Sequence, residues 1–362
     1  MLALPLAFAF PALWASARSR LTAAAVSAAY FLAASRGLPQ GVANFYGAGL
    51  VWGLGLWMAA SLVFVCVHGM LWSPRSGWRK AGGFGVAALL MSVPPFGVVG
   101  WAHPITGAGV LFPALGWVGL ALAALSLLAM TSRWWSVTAL ALASCWIWSA
   151  ANWTAPPVPP GWVAVDMAAG ARLGRAPELD AQRVLMSKVE KAAASGARVI
   201  LLPESALGLW TPTLERFWVE AVGQRGITMI AGAAVVRPDG YENVLVKVSD
   251  TAAGVLYRER MPVPVSMWQP WRSWMGEGAG AHAGFFNNPV VEVEGRPVAA
   301  LICYEQLIVW PFVQSMLHGP KAIITAGNGW WTAGTNIIAI QRSSSQAWAR
   351  LFGLPLVTAF NI

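Results

Sequence analysis

Val298-Ala299-Ala300-Leu301-Ile302-Cys303-Tyr304-Glu305 is the stretch on which the fold turns. Five apolar residues lead directly into a thiol, a tyrosine and a carboxylate. Such a run describes a buried strand that delivers a reactive side chain at its C-terminal end. A second run, Val199-Ile200-Leu201-Leu202, ends in Pro203-Glu204-Ser205. A thiol and a carboxylate presented in this way, Cys303 and Glu204, point to covalent acyl chemistry.

The surrounding pattern alternates. Residues 162–165, 198–202, 227–236 and 321–325 read as strands. Residues 244–249 and 255–260 predict a hairpin, as do 290–293 and 297–302 across Glu294-Gly295. Residues 180–194, 211–224 and 337–352 predict helices, with Pro212 suited to a first helical turn. Interleaved strands and helices indicate a layered α/β or α+β domain.

The part before Asp166 differs in kind. The chain of 362 residues is 57% hydrophobic and 11% charged, where about 25% charged is usual for a soluble domain. All 15 acids lie from Asp166 onward, whereas Arg18, Arg20, Arg36, Arg75, Arg79, Lys80 and Arg133 precede it. The net charge of +9 therefore arises mostly in the apolar part and excludes a nucleic-acid footprint. A span needs about 20 apolar residues. Residues 1–17, 21–35, 45–71, 82–102, 107–130 and 134–153 predict about six spans, giving a transmembrane helical domain over 1–153. Ala15-Ser16-Ala17 is similar to a signal-peptide cleavage site, but no Lys or Arg precedes it. Basic residues concentrate in alternate loops, which predicts a multi-pass protein of the bacterial inner membrane with its C-terminal domain in the periplasm. Residues 154–160, with their proline run, form an extended linker. A second domain occupies 161–362.

The three cysteines, Cys66, Cys145 and Cys303, and the four scattered histidines form neither a disulfide framework nor a metal motif. No metal and no cofactor are expected.

Leu201-Leu202-Pro203-Glu204-Ser205 resembles the glutamate motif of the nitrilase (carbon–nitrogen hydrolase) superfamily. Leu301-Ile302-Cys303-Tyr304-Glu305 resembles the nucleophile motif of its membrane branch, the apolipoprotein N-acyltransferases. Asn328-Gly329-Trp330-Trp331 is similar to a further segment of that branch, with Gly329 where the branch has an acid. The segment from Gln341 through Ala349-Arg350 to Asn361 resembles the helix and strand that follow. Within the branch, the stretch from Arg258 to Trp268 resembles conjugal transfer proteins of rhizobial-type plasmids. The resemblance implies an αββα sandwich behind the helical membrane domain. Family members continue beyond the equivalent of Asn361-Ile362, so a short C-terminal end is implied.

The resemblance also implies roles. Cys303 would take an acyl group from a phospholipid as a thioester, and the group would pass to an amine such as a lipoprotein or peptide N-terminus. The family uses a Glu, a Lys and a Cys. Glu204 and Cys303 match two of these, but the lysine position falls on Glu259. Arg260 or Arg258 supplies the positive charge if the strand shifts by one residue, although an arginine shuttles no proton. Met267 stands where the acyltransferases carry a Glu. Tyr304 and Glu305 flank the nucleophile, and Asn328 and Trp330 fall on the substrate side. Trp271, in the tryptophan-rich stretch from Met267 to Met275, belongs to a candidate lid that guides an acyl chain from the outer leaflet. A membrane-tethered amidase and a non-catalytic envelope component are the alternative expectations.

Overall fold

The computed structural model describes residues 3–172, 179–276, 278 and 280–362. The expected first segment thus begins two residues outside the described chain. The chain divides into two compact units. The first comprises Met1–Pro156, Leu307–Trp310 and Gly334–Leu354; the second comprises Pro157–Gln306, Pro311–Ala333 and Pro355–Ile362.

The multi-span membrane domain expected over 1–153 is corrected by the first unit. Among the described residues, one helix, Leu50–Leu71, is long and apolar enough to cross a bilayer, with 22 residues and a mean hydropathy of 2.2. Arg20–Ala34 and Leu38–Tyr46 reach that length only as a pair, and they are bent by 55°. The other apolar stretches are cut short by residues that interrupt helices. Trp78–Leu90 ends before Pro94-Pro95, and a 3₁₀ turn, Phe96–Val99, takes up the next residues. At 1.5 Å per residue its 13 residues extend about 20 Å, short of the ~30 Å hydrocarbon layer. Pro113 breaks the 107–130 stretch, and the 3₁₀ turn opened by Pro104 takes up its first residue, so its helix starts only at Gly116 and runs to Met130. Trp135–Asn152 has 18 residues but carries Ser136, Thr138, Ser144, Ser149 and Asn152. With the spans recounted, their parity no longer assigns the C-terminal domain to a compartment.

The first unit has a core of its own. Phe10, Trp14, Phe31, Phe64 and Phe84 are fully buried. Phe10 stacks on Tyr30 with ring centroids 4.4 Å apart. Helix Ile337–Phe352 closes on the turn Ala108–Leu111 through Gly109, where a Cβ would lie 1.6 Å from the Ala347 carbonyl oxygen. Arg350 of the same helix donates to the Ser149 carbonyl and hydroxyl, each at 2.6 Å. Val51, Trp52 and Met70 on Leu50–Leu71 are three-quarters exposed.

The second unit contains two sheets. The first has β1 (Trp162–Ala164), β2 (Val199–Leu201), β3 (Thr228–Arg237), β4 (Gly240–Val248) and β5 (Ala253–Arg258) in that order. β1, β2 and β3 are parallel, and the rest are antiparallel. The second sheet orders β6 (Val291–Val293), β7 (Arg296–Ile302), β8 (Ala322–Asn328) and β9 (Leu356–Asn361). β6 and β7 form the hairpin expected across Glu294-Gly295, whose positive φ values of 49° and 69° suit a tight primed turn. β7, β8 and β9 are parallel.

Alternation of side chains places the two sheets face to face. Val199, Leu201, Ile230, Leu245 and Tyr257 from the first sheet share a core with Val298, Ala300, Ile302, Ile324 and Ala359 from the second. The first sheet's other face packs under helices Leu179–Ala194 and Pro212–Gly223, through Leu185, Val189, Trp218 and Val222. Thr211 caps the second of these helices by accepting from the Leu214 N–H, with Pro212 in the first turn. β4 starts at Gly240, earlier than the sequence indicates, because Gly240-Tyr241-Glu242-Asn243 pairs with the end of β3. That extension brings Asn243 into the sandwich.

Candidate active site

The strand ends β2 and β7 deliver Glu204 and Cys303 to one place. Glu204 is 4% exposed and Cys303 is 5% exposed, and the thiol lies within hydrogen-bonding reach of the carboxylate. Both turns hold a residue in the left-handed region: Ser205 at φ +60° and Cys303 itself at φ +41°. A non-glycine residue there costs about 1–3 kcal/mol, and tertiary packing must hold it. Glu305 supplies much of that hold.

Glu305 sits two residues past the thiol and is fully buried. Its carboxylate accepts from the Ile302 N–H at 2.7 Å, the Arg260 N–H at 2.7 Å and the Tyr257 hydroxyl at 2.7 and 2.8 Å. The Arg260 guanidinium lies 3.7 Å from it. Glu305 thus ties the end of β7 to the residues after β5 and fixes the turn that presents Cys303. Tyr304 is buried beside it.

Arg260 lies within this brace. Its Nε donates to the Tyr257 hydroxyl at 2.9 Å, and Nη1 and Nη2 reach Gln314 at 2.9 Å and Ser315 at 3.1 Å. Its charge is therefore committed to Glu305. Arg258 lies on an exposed strand face, paired with Glu242 at 3.2 Å.

Glu259 does face the thiol site. Its backbone N–H donates to the Asn243 carbonyl at 2.8 Å, and its side chain is 2% exposed. The Asn243 Nδ2 donates to Glu204 Oε1 and to Glu259 Oε2, both at 2.8 Å. One amide thus bridges two buried carboxylates. Sequence reasoning passed over Asn243; a polar residue directly ahead of the apolar run Val244-Leu245-Val246 was the available signal.

Asn328 contributes through its backbone. Its side chain accepts from Asn361 at 2.8 Å, while its N–H faces both the Glu204 carboxylate and the Cys303 sulfur. Trp330 opens the following 3₁₀ turn and is half-buried. Trp271 lies on the short helix Trp271–Trp274, where Trp274 is 85% exposed.

Electrostatics follow from this crowding. Burial pushes the Glu204 carboxyl up to about 7, although Asn243, the Cys303 thiol and the Asn328 N–H favour its ionised form. Burial, and then the neighbouring Glu204 and Glu305 charges, hold Glu259 well above the usual carboxylate range. Burial, reinforced by Glu204 and Glu259, also raises the Cys303 thiol well above its ordinary value. The resting nucleophile is thus a neutral thiol, and it needs Glu204 to take its proton. Among the described residues no cluster of His, Cys, Asp and Glu could hold a metal ion.

The turn carrying Glu204 rests on β3 at Gly232. A Cβ there would lie 2.4 Å from both Glu204 Cα and Ser205 N. Gly232→Ala is expected to lower stability by about 1–3 kcal/mol through overpacking. It is also expected to slow labelling of Cys303 by displacing the base. Urea unfolding and thiol-labelling kinetics on the same sample check both effects.

The chain is 56% identical over 370 residues to the conjugal transfer protein TraB of Agrobacterium fabrum, covering 99% of this chain and 88% of that protein. It is 55% identical over 360 residues to a probable conjugal transfer protein TraB of Sinorhizobium fredii, covering 99% and 93%. An amidase from Nesterenkonia sp. superposes with a TM-score of 0.40 at 16% identity, covering 57% of this chain and 80% of that one. The family model described as carbon-nitrogen hydrolase matches residues 32–350, a span that contains Glu204, Asn243, Glu259 and Cys303. With strand-end thiol and carboxylate inside that match, the chain belongs to the carbon-nitrogen hydrolase family.

Proposed function

We propose that this protein is a cysteine-dependent acyltransferase of the bacterial inner membrane that serves plasmid conjugal transfer. The observation that carries the chemistry is the buried Cys303 thiol held against the Glu204 carboxylate at two strained strand ends. Glu204 takes the thiol proton as Cys303 Sγ attacks the carbonyl carbon of a phospholipid ester. The C–O bond breaks, the proton returns to the departing alkoxide, and a thioester remains on Cys303. An amine, such as a lipoprotein or peptide N-terminus, then attacks the thioester, so an amide forms and the thiol is regenerated. The names of the two TraB relatives support the conjugal setting. The exposed apolar residues Val51, Trp52 and Met70, and separately Trp274, support contact with lipid.

Hydrolysis is the second reading, favoured by the family's own description, with water in place of the amine. Mass spectrometry of the protein extracted from lipid-replete membranes is expected to show a hydroxylamine-labile acyl adduct on the Cys303 peptide. Cys303→Ala loses it. A protein that stays unmodified in lipid-replete membranes overturns the acyltransferase reading.

A further inference from the structure

We propose that the site takes its positive charge from the substrate, a protonated or quaternary amine nitrogen that lies close to the carbonyl attacked by Cys303 and docks on the Glu259 carboxylate. The proposal rests on Cys303 being the nucleophile and adds the substrate class.

Glu204 and Glu259 lie on either side of Asn243 and are almost fully buried. The bridging amide supplies one N–H to each. Glu259 Oε1 is buried with no hydrogen-bond partner among the described residues. Glu204 Oε2 likewise lacks a hydrogen bond of ordinary geometry, although the Cys303 thiol and the Asn328 N–H lie near that carboxylate. A buried carboxylate without a partner costs several kcal/mol and calls for a proton or a cation.

Among the described residues, no basic side chain acts on Glu204 or Glu259. Arg260, the next residue, spends its guanidinium on Glu305, Tyr257, Gln314 and Ser315. Arg258 is paired with Glu242 at the surface. Tyr241, half-buried on β4, feels both carboxylates and adds an aromatic ring to the same neighbourhood. An ammonium group brings N–H donors that would satisfy Glu259 Oε1, and a quaternary nitrogen is recognised by charge and by an aromatic face. Without a cation, a proton on one of the two carboxylates offsets their burial and mutual repulsion. A cationic substrate displaces that proton and leaves Glu204 as the ionised base.

Small methanethiosulfonates test this without knowledge of the natural substrate. 2-Aminoethyl, propyl and 2-sulfonatoethyl methanethiosulfonate are cationic, neutral and anionic reagents of similar size. Each forms an S–S bond to the thiol as its S–SO₂ bond breaks; methanesulfinate departs and Glu204 receives the thiol proton. Labelling of the full chain is followed at the Cys303 peptide by mass spectrometry, with 2-mercaptoethanol in the same solution as the reference thiol; Cys66 is unsuitable because it lies on the apolar helix Leu50–Leu71. About 0.5 M salt screens the long-range field of the net +9 chain, which would by itself repel the cation.

The expected result is a cationic-to-neutral rate ratio at Cys303 at least about tenfold above that of the reference thiol, the equivalent of one good charged contact. Glu259→Gln brings the ratio to that of the reference thiol, and Glu259→Lys turns the preference towards the anion. Equal ratios at Cys303 of the unsubstituted chain and at the reference thiol overturn the proposal while leaving the nucleophile in place. A Cys303 that reacts with none of the three reagents overturns both. The decisive ratio is read on the unsubstituted protein, so a variant that fails to fold does not remove the test.

Discussion

Glu204→Gln is expected to slow acylation of Cys303 by about 10²–10⁴-fold at neutral pH, the usual worth of a positioned general base. Gln keeps the shape and still accepts from Asn243, so the turn at Ser205 is retained. What it loses is the acceptor for the thiol proton. Since burial and two carboxylates raise the Cys303 thiol, little thiolate forms without that acceptor. The pH profile separates this loss from a structural one. In the unsubstituted protein the rate is expected to rise as pH passes through about 7, where Glu204 ionises. In Glu204→Gln that limb disappears, and the rate climbs only in the alkaline range where the thiol ionises alone. Stability moves the opposite way. The folded-state pKa of Glu204 lies above its unfolded value, so the folded protein loses stability as pH rises from about 4.5 to about 7. Glu204→Gln is therefore expected to unfold at higher temperature than the unsubstituted chain at pH 8, with no such gain at pH 4. Stopped-flow thiol labelling and thermal unfolding at both pH values check the pair of effects.

Cys303 and Glu204 were legible because each ends an apolar run long enough to be a buried strand, and a polar residue in that position is held there for chemistry or capping. Helix 337–352 and the Glu294-Gly295 hairpin were legible for similar local reasons. Asn243 was not, because its two partners lie 39 and 16 residues away and become neighbours only when β4 extends to Gly240. The same holds for Arg260. Sequence spacing offers it as a charge for the thiol, but a guanidinium follows its buried carboxylate, and Glu305 comes from another sheet. The apolar N-terminal part misled for a different reason. Composition counts apolar residues, whereas a span needs an uninterrupted helix, and Pro94-Pro95, Pro113 and the bend before Leu38 interrupt it.

Arg260→Met is expected to lower stability by about 3–5 kcal/mol, the usual result of removing one member of a fully buried ion pair. The loss exceeds the pair's own attraction because Glu305 would remain charged inside the sandwich, with Tyr257 and two backbone N–H groups as its remaining donors. Arg260 lowers the carboxyl's tendency to hold a proton, opposing burial. Without Arg260 the Glu305 pKa moves further up. The added penalty is thus present above the unfolded carboxyl pKa and relieved as pH falls towards it. Urea unfolding is expected to show the larger loss at pH 8 and a smaller one at pH 5. In Arg260→Met/Glu305→Gln the buried charge is gone from both sides, and much of the stability returns, since an apolar or neutral replacement of a buried pair is often close to neutral. The same double variant separates support from chemistry. If Arg260 only positions the turn, neutral thiosulfonate labelling of Cys303 recovers together with stability. Recovery of stability with labelling still depressed would instead give Arg260 a charge role at the thiol, against the hydrogen bonds that turn it towards Tyr257, Gln314 and Ser315.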